Sequence, residues 1–435
     1  MTYTREALAL KGAAALTALW VLAAPALAAP APVLAAPAPA LTAPFAVAVA
    51  PADSGDGDRC TFPARPYPGR PWALQRVLLD ELWHRSTGAG VRVAVIDTGV
   101  DIRNPQLKGA VDTSLGTNLL PRGLKDATGR PLERGAENGT TDPVGHGTKV
   151  AGIIAARPAP TTGFVGLAPG ATIIPVAQND ADGHGTAETL AEAIRHAVAA
   201  GARIINISQD TADAVRPAAT LKRAVDAALA RDVVVVASAG NDGLGGNVKA
   251  TYPASYPGVL AVAASDRNNE RAAFSQSGAF VGVAAPGVDM VSTVPGGGHC
   301  ADSGTSFAAP YVAGVAALIR ARHPGWTGRE VVTQIEQTAE RAVAGHDRLV
   351  GWGVADPVRA LTEDDHPLRA PAAHEGVTPA RAPAPAVLHP GESDEERTRR
   401  LATYVAVGAA VLVAVLSGAA VAIGEARRRR VTRTE

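Results

Sequence analysis

Apolar residues in the middle of the chain come in short uninterrupted runs that end abruptly in a polar or small residue. Residues 91–96 run into Asp97, and residues 233–238 are followed by Ala239, Gly240 and Asn241. Residues 171–176, 203–208 and 258–264 repeat the pattern. Runs of this length without strict alternation predict strands covered on both faces. Between them, residues 148–156, 187–200, 217–231 and 306–322 space their apolar positions at helical intervals, and residues 78–84 predict a shorter helix. Strands alternating with helices predict an α/β chain, three layers deep, with a mainly parallel sheet between helices. Such sheets place their chemistry at the carboxyl ends of strands and at helix amino termini.

Three polar residues fall at those predicted ends. They are Asp97 within Asp97-Thr98-Gly99, His146 within Gly145-His146-Gly147-Thr148, and Ser306 within Gly304-Thr305-Ser306-Phe307-Ala308-Ala309-Pro310. A serine hydroxyl is a poor nucleophile at neutral pH. It needs a base in reach, an anion to orient that base, and donors for the oxyanion. The order Asp, His, Ser supplies base and anion, and the start of a helix at Ser306 supplies backbone N–H groups. The bland alternative, three buried structural residues, does not account for all three standing at element ends.

These three motifs resemble the active-site signatures of the subtilisin-like serine proteases, and the resemblance runs from about residue 72 to residue 361. It implies a subtilisin-like fold and an endopeptidase with Asp97, His146 and Ser306 as catalytic triad and the Asn241 side chain as oxyanion donor. Substrate backbone would pair with two segments, one holding Gly183, His184 and Gly185, the other Ser208, Gln209 and Asp210. Gln209 and Asp210 depart from the family's usual Leu and Gly, so specificity does not carry over. Asp210 fits either a basic or polar substrate side chain or a solvated rim. The stretch 157–162, where relatives hold calcium, has no carboxylate, and no His-Glu-x-x-His pattern occurs. No metal or other cofactor is expected.

Composition and the chain ends change the picture further. The 435 residues carry 41 basic and 41 acidic side chains, so no long-range field favours nucleic acid. Arg5 and Lys11 precede an apolar run and the small residues Ala26, Leu27 and Ala28, which predicts a signal peptide over 1–28, an uncleaved anchor being the alternative. Residues 29–71 form an Ala/Pro-rich extension too short and repetitive for a globular propeptide. Residues 72–361 are the expected peptidase domain, interrupted at about 112–142 by a Gly-rich surface loop that suits gating, partner contact or no role at all. A Pro-rich linker, 362–400, leads to an uncharged stretch at 401–423 that predicts a transmembrane helix, and a basic tail, 424–435, follows. An exported amino terminus and one span put the catalytic domain outside the membrane and the carboxyl terminus in the cytoplasm.

The two cysteines, Cys60 and Cys300, fall in the exported part, where an oxidising exterior predicts a disulfide between them, free buried thiols or pairing with another chain being the alternatives. Signal peptide, short extension, protease core, linker, span and basic tail together resemble the mycosins. That resemblance implies protein or peptide substrates, association with a type VII secretion membrane complex, and limited proteolysis near the export channel. A second reading is a mainly structural component of that complex with dispensable proteolysis.

Overall fold

The computed structural model describes residues 60–431 except 124, 126–128, 132, 181–184, 210–218, 247–249 and 374–393. Among the described residues, seven strands form one sheet in the order β2-β3-β1-β4-β5-β6-β7. They are β1 (Arg92–Asp97), β2 (Thr117–Asn118), β3 (Thr172–Ala177), β4 (Ile204–Ile207), β5 (Val234–Ser238), β6 (Leu260–Ser265) and β7 (Val281–Pro286), and every pairing is parallel. Successive residues face opposite layers: Val93 and Val95 of β1 join one apolar cluster, Ala94 and Ile96 the other. Both faces are therefore dry, which is why these runs are apolar throughout. Each fully buried Val or Ile contributes about 1.5–3 kcal/mol relative to exposure.

One layer holds α3 (His146–Ala155) and α6 (Thr305–Arg322); the other holds α4 (Ala187–Ala199) and α5 (Ala219–Ala230). Residues 305–320 of α6 are buried on every side, as expected of a helix lying between sheet and outer helices. The predicted elements agree with these spans to within a few residues, with one instructive shift. The first helix of the core begins at His146 itself, not two residues later. Elements absent from the sequence prediction include β2, β7 and the antiparallel hairpin β8 (Met290–Thr293) and β9 (His299–Asp302). So do α7 (Gly328–Thr338), closed by a Thr327/Glu330 capping box, and α8 (Pro357–Thr362), capped by Asp356. The short helices α1 (Trp72–Gln75) and α2 (Leu79–Arg85) pack Leu74, Leu79 and Leu82 into the α3/α6 cluster.

The extension from residue 60 lies along the β8–β9 hairpin. Cys60 and Cys300 form a disulfide, Ala64 N–H donates to Gly297 O at 3.0 Å, and His299 N–H donates to Arg65 O at 3.2 Å. His299 is buried beneath it: its Nδ1 accepts from Tyr67 N–H at 3.0 Å and its Nε2 meets Gln106 Oε1 at 2.7 Å. Only the neutral ring can accept at Nδ1 and donate at Nε2, and burial pushes its pKa down to about 4. The unfolded chain binds that proton more readily, so this group's contribution to stability is full above about pH 6.5. It is lost as pH falls towards 4. Thermal melts are expected to decline across that window in the wild type and to flatten there in His299→Gln; parallel curves would show that the ring is not the acid-sensitive group.

The carboxyl-terminal helix α9 (Asp394–Val431) is, by length and composition, able to cross a membrane. It outruns the uncharged stretch 401–423 because the flanking Glu and Arg residues are good helix formers. Asp394, Glu395 and Glu396 also occupy its electropositive first turn. The predicted signal peptide, residues 29–59 of the predicted extension, residues 374–393 of the linker and residues 432–435 of the basic tail lie outside the described residues.

Candidate active site

Asp97 is the last residue of β1 and is only 2% exposed. Its carboxylate Oδ1 accepts from Thr98 N–H at 2.8 Å and contacts His146 Nδ1 at 2.7 Å. A carboxylate only accepts, so the imidazole proton is on Nδ1 and Nε2 is left as a base. Glycine permits this approach: a Cβ on Gly147 would stand 2.1 Å from Gly99 O and 3.0 Å from Asp97 Cβ. Burial acts to lower the His146 pKa, but Asp97, through charge and hydrogen bond, and then Asp142 and Asp302 outweigh it and leave it raised.

Ser306 is the second residue of α6 and 8% exposed. It lines one cleft of about 320 Å³ together with Asp97, His146, Ser208, Gln209 and Asn241. Pro310 lacks the N–H that would close the first turn on the Ser306 carbonyl, so the turn bearing the serine is not locked by that bond. A Cβ on Gly304 would sit 2.9 Å from Ser306 Oγ and 3.6 Å from Asn241 Nδ2, so only glycine leaves the hydroxyl clear. The Asn241 amide is oriented by its oxygen, which accepts from Thr305 N–H at 2.9 Å and from Thr305 Oγ1 at 3.0 Å. Its Nδ2 is thereby turned to the Ser306 side.

The structure thus brings Asp97, His146, Ser306 and Asn241 to the carboxyl ends of β1 and β5 and the amino termini of α3 and α6. Ser208 and Gln209, which follow β4, line the same cleft, and Gln209 bonds the Gln178 side chain. Gly185 stands at the foot of α4, its N–H donating to Asn179 Oδ1 at 3.3 Å. Gly183, His184 and Asp210 lie outside the described residues. Sequence reasoning missed Val144, Asn179, Asp180 and Ser238, which also line the cleft, whereas Thr98 fell within the Asp97-Thr98-Gly99 signature. No motif marks those four.

A parallel sheet whose carboxyl edge presents a carboxylate-held histidine beside a helix-opening serine describes a serine-type endopeptidase of subtilisin-like architecture. The chain belongs to the Subtilase family, peptidase S8, whose family model matches residues 88–353. It is 36% identical to Mycosin-4 of Mycobacterium tuberculosis, over 79% of this chain and 80% of that protein. It is 37% identical to Subtilisin Savinase of Lederbergia lenta, over 66% of this chain and 96% of that one. Among solved structures it matches MycP1 from the ESX-1 type VII secretion system with a TM-score of 0.60 and 33% identity. That match covers 72% of this chain and 90% of the other. The protein is accordingly a subtilisin-like serine endopeptidase and a homologue of the mycosins.

Proposed function

We propose that Asp97, His146 and Ser306 form the catalytic triad of a membrane-anchored endopeptidase that acts outside the cytoplasmic membrane on substrates of type VII secretion. The 2.7 Å contact between Asp97 and His146 Nδ1, in the cleft that also holds Ser306, carries the catalytic part of this reading. Ser306 Oγ adds to the peptide carbonyl carbon as His146 Nε2 takes its proton, and Asp97 stabilises the imidazolium that forms. His146 then delivers that proton to the leaving amine, and water repeats the cycle to release the acyl group. The oxyanion is held by Asn241 Nδ2 and the backbone N–H of Ser306, the Thr305 N–H being already given to Asn241 Oδ1. Asn241→Ala is expected to lower kcat by about 10²–10³-fold with KM little changed, as steady-state kinetics on a peptide substrate would read.

The secretion role rests on the relatives, since the matched MycP1 comes from a type VII secretion system. Topology follows from a signal peptide over 1–28 and one span over 401–423, which leave the peptidase domain, 72–361, on the outer side. Labelling the full chain with a fluorophosphonate tests the chemistry: adduct on wild type, none on Ser306→Ala. Equal labelling of both would refute the triad, and protection of residues 72–361 from protease added to intact cells would refute the topology. In the host, a secretion defect on deletion that Ser306→Ala fully restores would favour the structural reading.

A further inference from the structure

Asp142 is a carboxylate that the triad mechanism does not use, yet it is 2% exposed and lies four residues before His146. Its partners among the described residues are all neutral donors. Oδ1 accepts from Thr98 Oγ1 at 2.8 Å, Val144 N–H at 3.1 Å and Gly145 N–H at 2.8 Å. Oδ2 accepts from Thr148 N–H at 2.8 Å and Thr148 Oγ1 at 2.7 Å. One side chain therefore ties together the residue after Asp97, the turn before His146 and the first turn of α3. A helix cap alone needs no charge, because Ser, Thr or Asn serves as well. Burial pushes the Asp142 pKa up, against the hydrogen bonds from Thr148, Gly145 and Thr98 that pull it down. Every one of those contacts donates to its oxygens, so the site is built for the carboxylate. An anion buried without a cation beside a histidine that becomes cationic during turnover calls for a use.

Thr98 is the bridge. Its hydroxyl has one proton and two carboxylates to choose from, Asp142 Oδ1 at 2.8 Å and Asp97 Oδ1 at 3.3 Å. While Asp142 takes that proton, Asp97 Oδ1 keeps its accepting capacity for His146. The Thr98 oxygen in turn accepts from Gly147 N–H at 2.9 Å, which fixes the residue next to the imidazole. We infer that Asp142 is a positioning residue for the Asp97–His146 pair, acting through Thr98 to keep Asp97 free for the imidazole and through its charge to favour the imidazolium. This rests on the triad reading above.

The charged groups facing His146 are Asp97 from β1, Asp142 from the preceding turn and Asp302 from β9. Lys149, one turn along α3, is paired with Asp302 at 2.9 Å, and Asp180 lines the cleft. Removing the Asp142 charge leaves the other two anions in place, so the imidazolium loses part of its support and its pKa falls.

The test is the pH dependence of fluorophosphonate inactivation of the full chain. Asp142→Asn is expected to lower the plateau rate at least tenfold and to move the acid limb to lower pH by roughly half a unit or more. Thr98→Val, which keeps the charge but breaks the bridge, is expected to lose rate without moving the limb. Thr98→Ser, which restores the hydroxyl, is expected to recover it. A folded Asp142→Asn with wild-type plateau and limb overturns the inference. If that variant does not fold, wild-type rates in Thr98→Val overturn it instead. Ser306→Ala separates the two readings: label retained there sinks the triad, whereas label lost there with Asp142→Asn unaffected sinks only this inference.

Discussion

Replacing Asp97 with asparagine is expected to slow turnover about 10⁴-fold while leaving the fold intact. Oδ1 of Asp97 accepts from both Thr98 N–H and His146 Nδ1, so an asparagine has two orientations and neither serves. With its oxygen at the Oδ1 position it keeps both hydrogen bonds but carries no charge to stabilise the imidazolium. With its nitrogen there, it meets Thr98 N–H donor to donor and favours the histidine tautomer whose Nε2 is already protonated. Either way about 5 kcal/mol of transition-state stabilisation goes. The side chain is isosteric and buried at a strand end, so melting temperature should change little. The sign of the pH effect also follows. Asp97 is the strongest of the groups that raise the His146 pKa, so its neutralisation moves the acid limb of residual activity to lower pH. Stopped-flow kinetics beside a thermal melt would check both parts; a loss below tenfold would mean that His146 is not oriented by this carboxylate.

Asp97 and Ser306 were legible because each ends or begins an element that the apolar pattern itself declares, and His146 because it stands two residues before the predicted helix 148–156. A strand buried on both faces must stop where a charge appears, and the apolar run of α6, residues 307–319, must start after the last small polar residues before it. The role of Asn241 was legible only through resemblance, since nothing local distinguishes it from Asn179, which likewise follows the end of an apolar strand. The hairpin β8–β9 and strand β7 were missed because residues 281–302 mix Gly, Ala, Ser and Pro with isolated Val, so no sustained apolar run marks them; the β8–β9 pairing is local, and the Pro-Gly-Gly-Gly turn at 295–298 was the signal available for it. Helices α7 and α8 had signals in plain sequence, the Thr327/Glu330 capping box and Asp356 before Pro357. Asp142 had none, because a carboxylate in a Gly-rich loop looks the same whether it faces water or closes on Thr98 and Thr148. What the sequence could not convey was which loop acid turns inward.

Removing the disulfide should have the largest effect on stability. Cys60 and Cys300 are 240 residues apart, and closing so long a loop restricts the unfolded chain by about 5 kcal/mol in the chain-entropy model, with measured losses for native bridges of roughly 2–5 kcal/mol. The Cys60→Ser, Cys300→Ser double variant is therefore expected to melt roughly 5–15 °C lower than wild type. Reductant should reproduce that shift in the wild type and add nothing in the variant. The bond's position argues for a second consequence. Cys300 sits on β9, whose end at Asp302 leads within four residues to Ser306. At the other end of the bridge, a Cβ on Gly145 would meet the Phe62 ring at 2.8 Å, so the extension packs directly on the residue that caps α3 before His146. The bridge thus clamps one segment against the approaches to both His146 and Ser306. Fluorophosphonate inactivation should slow on reduction at temperatures where the domain is still folded. Slowing only in parallel with unfolding would assign the disulfide to stability alone, and an unchanged melt would mean that the backbone bonds at Ala64, Arg65 and Tyr67 hold the extension by themselves.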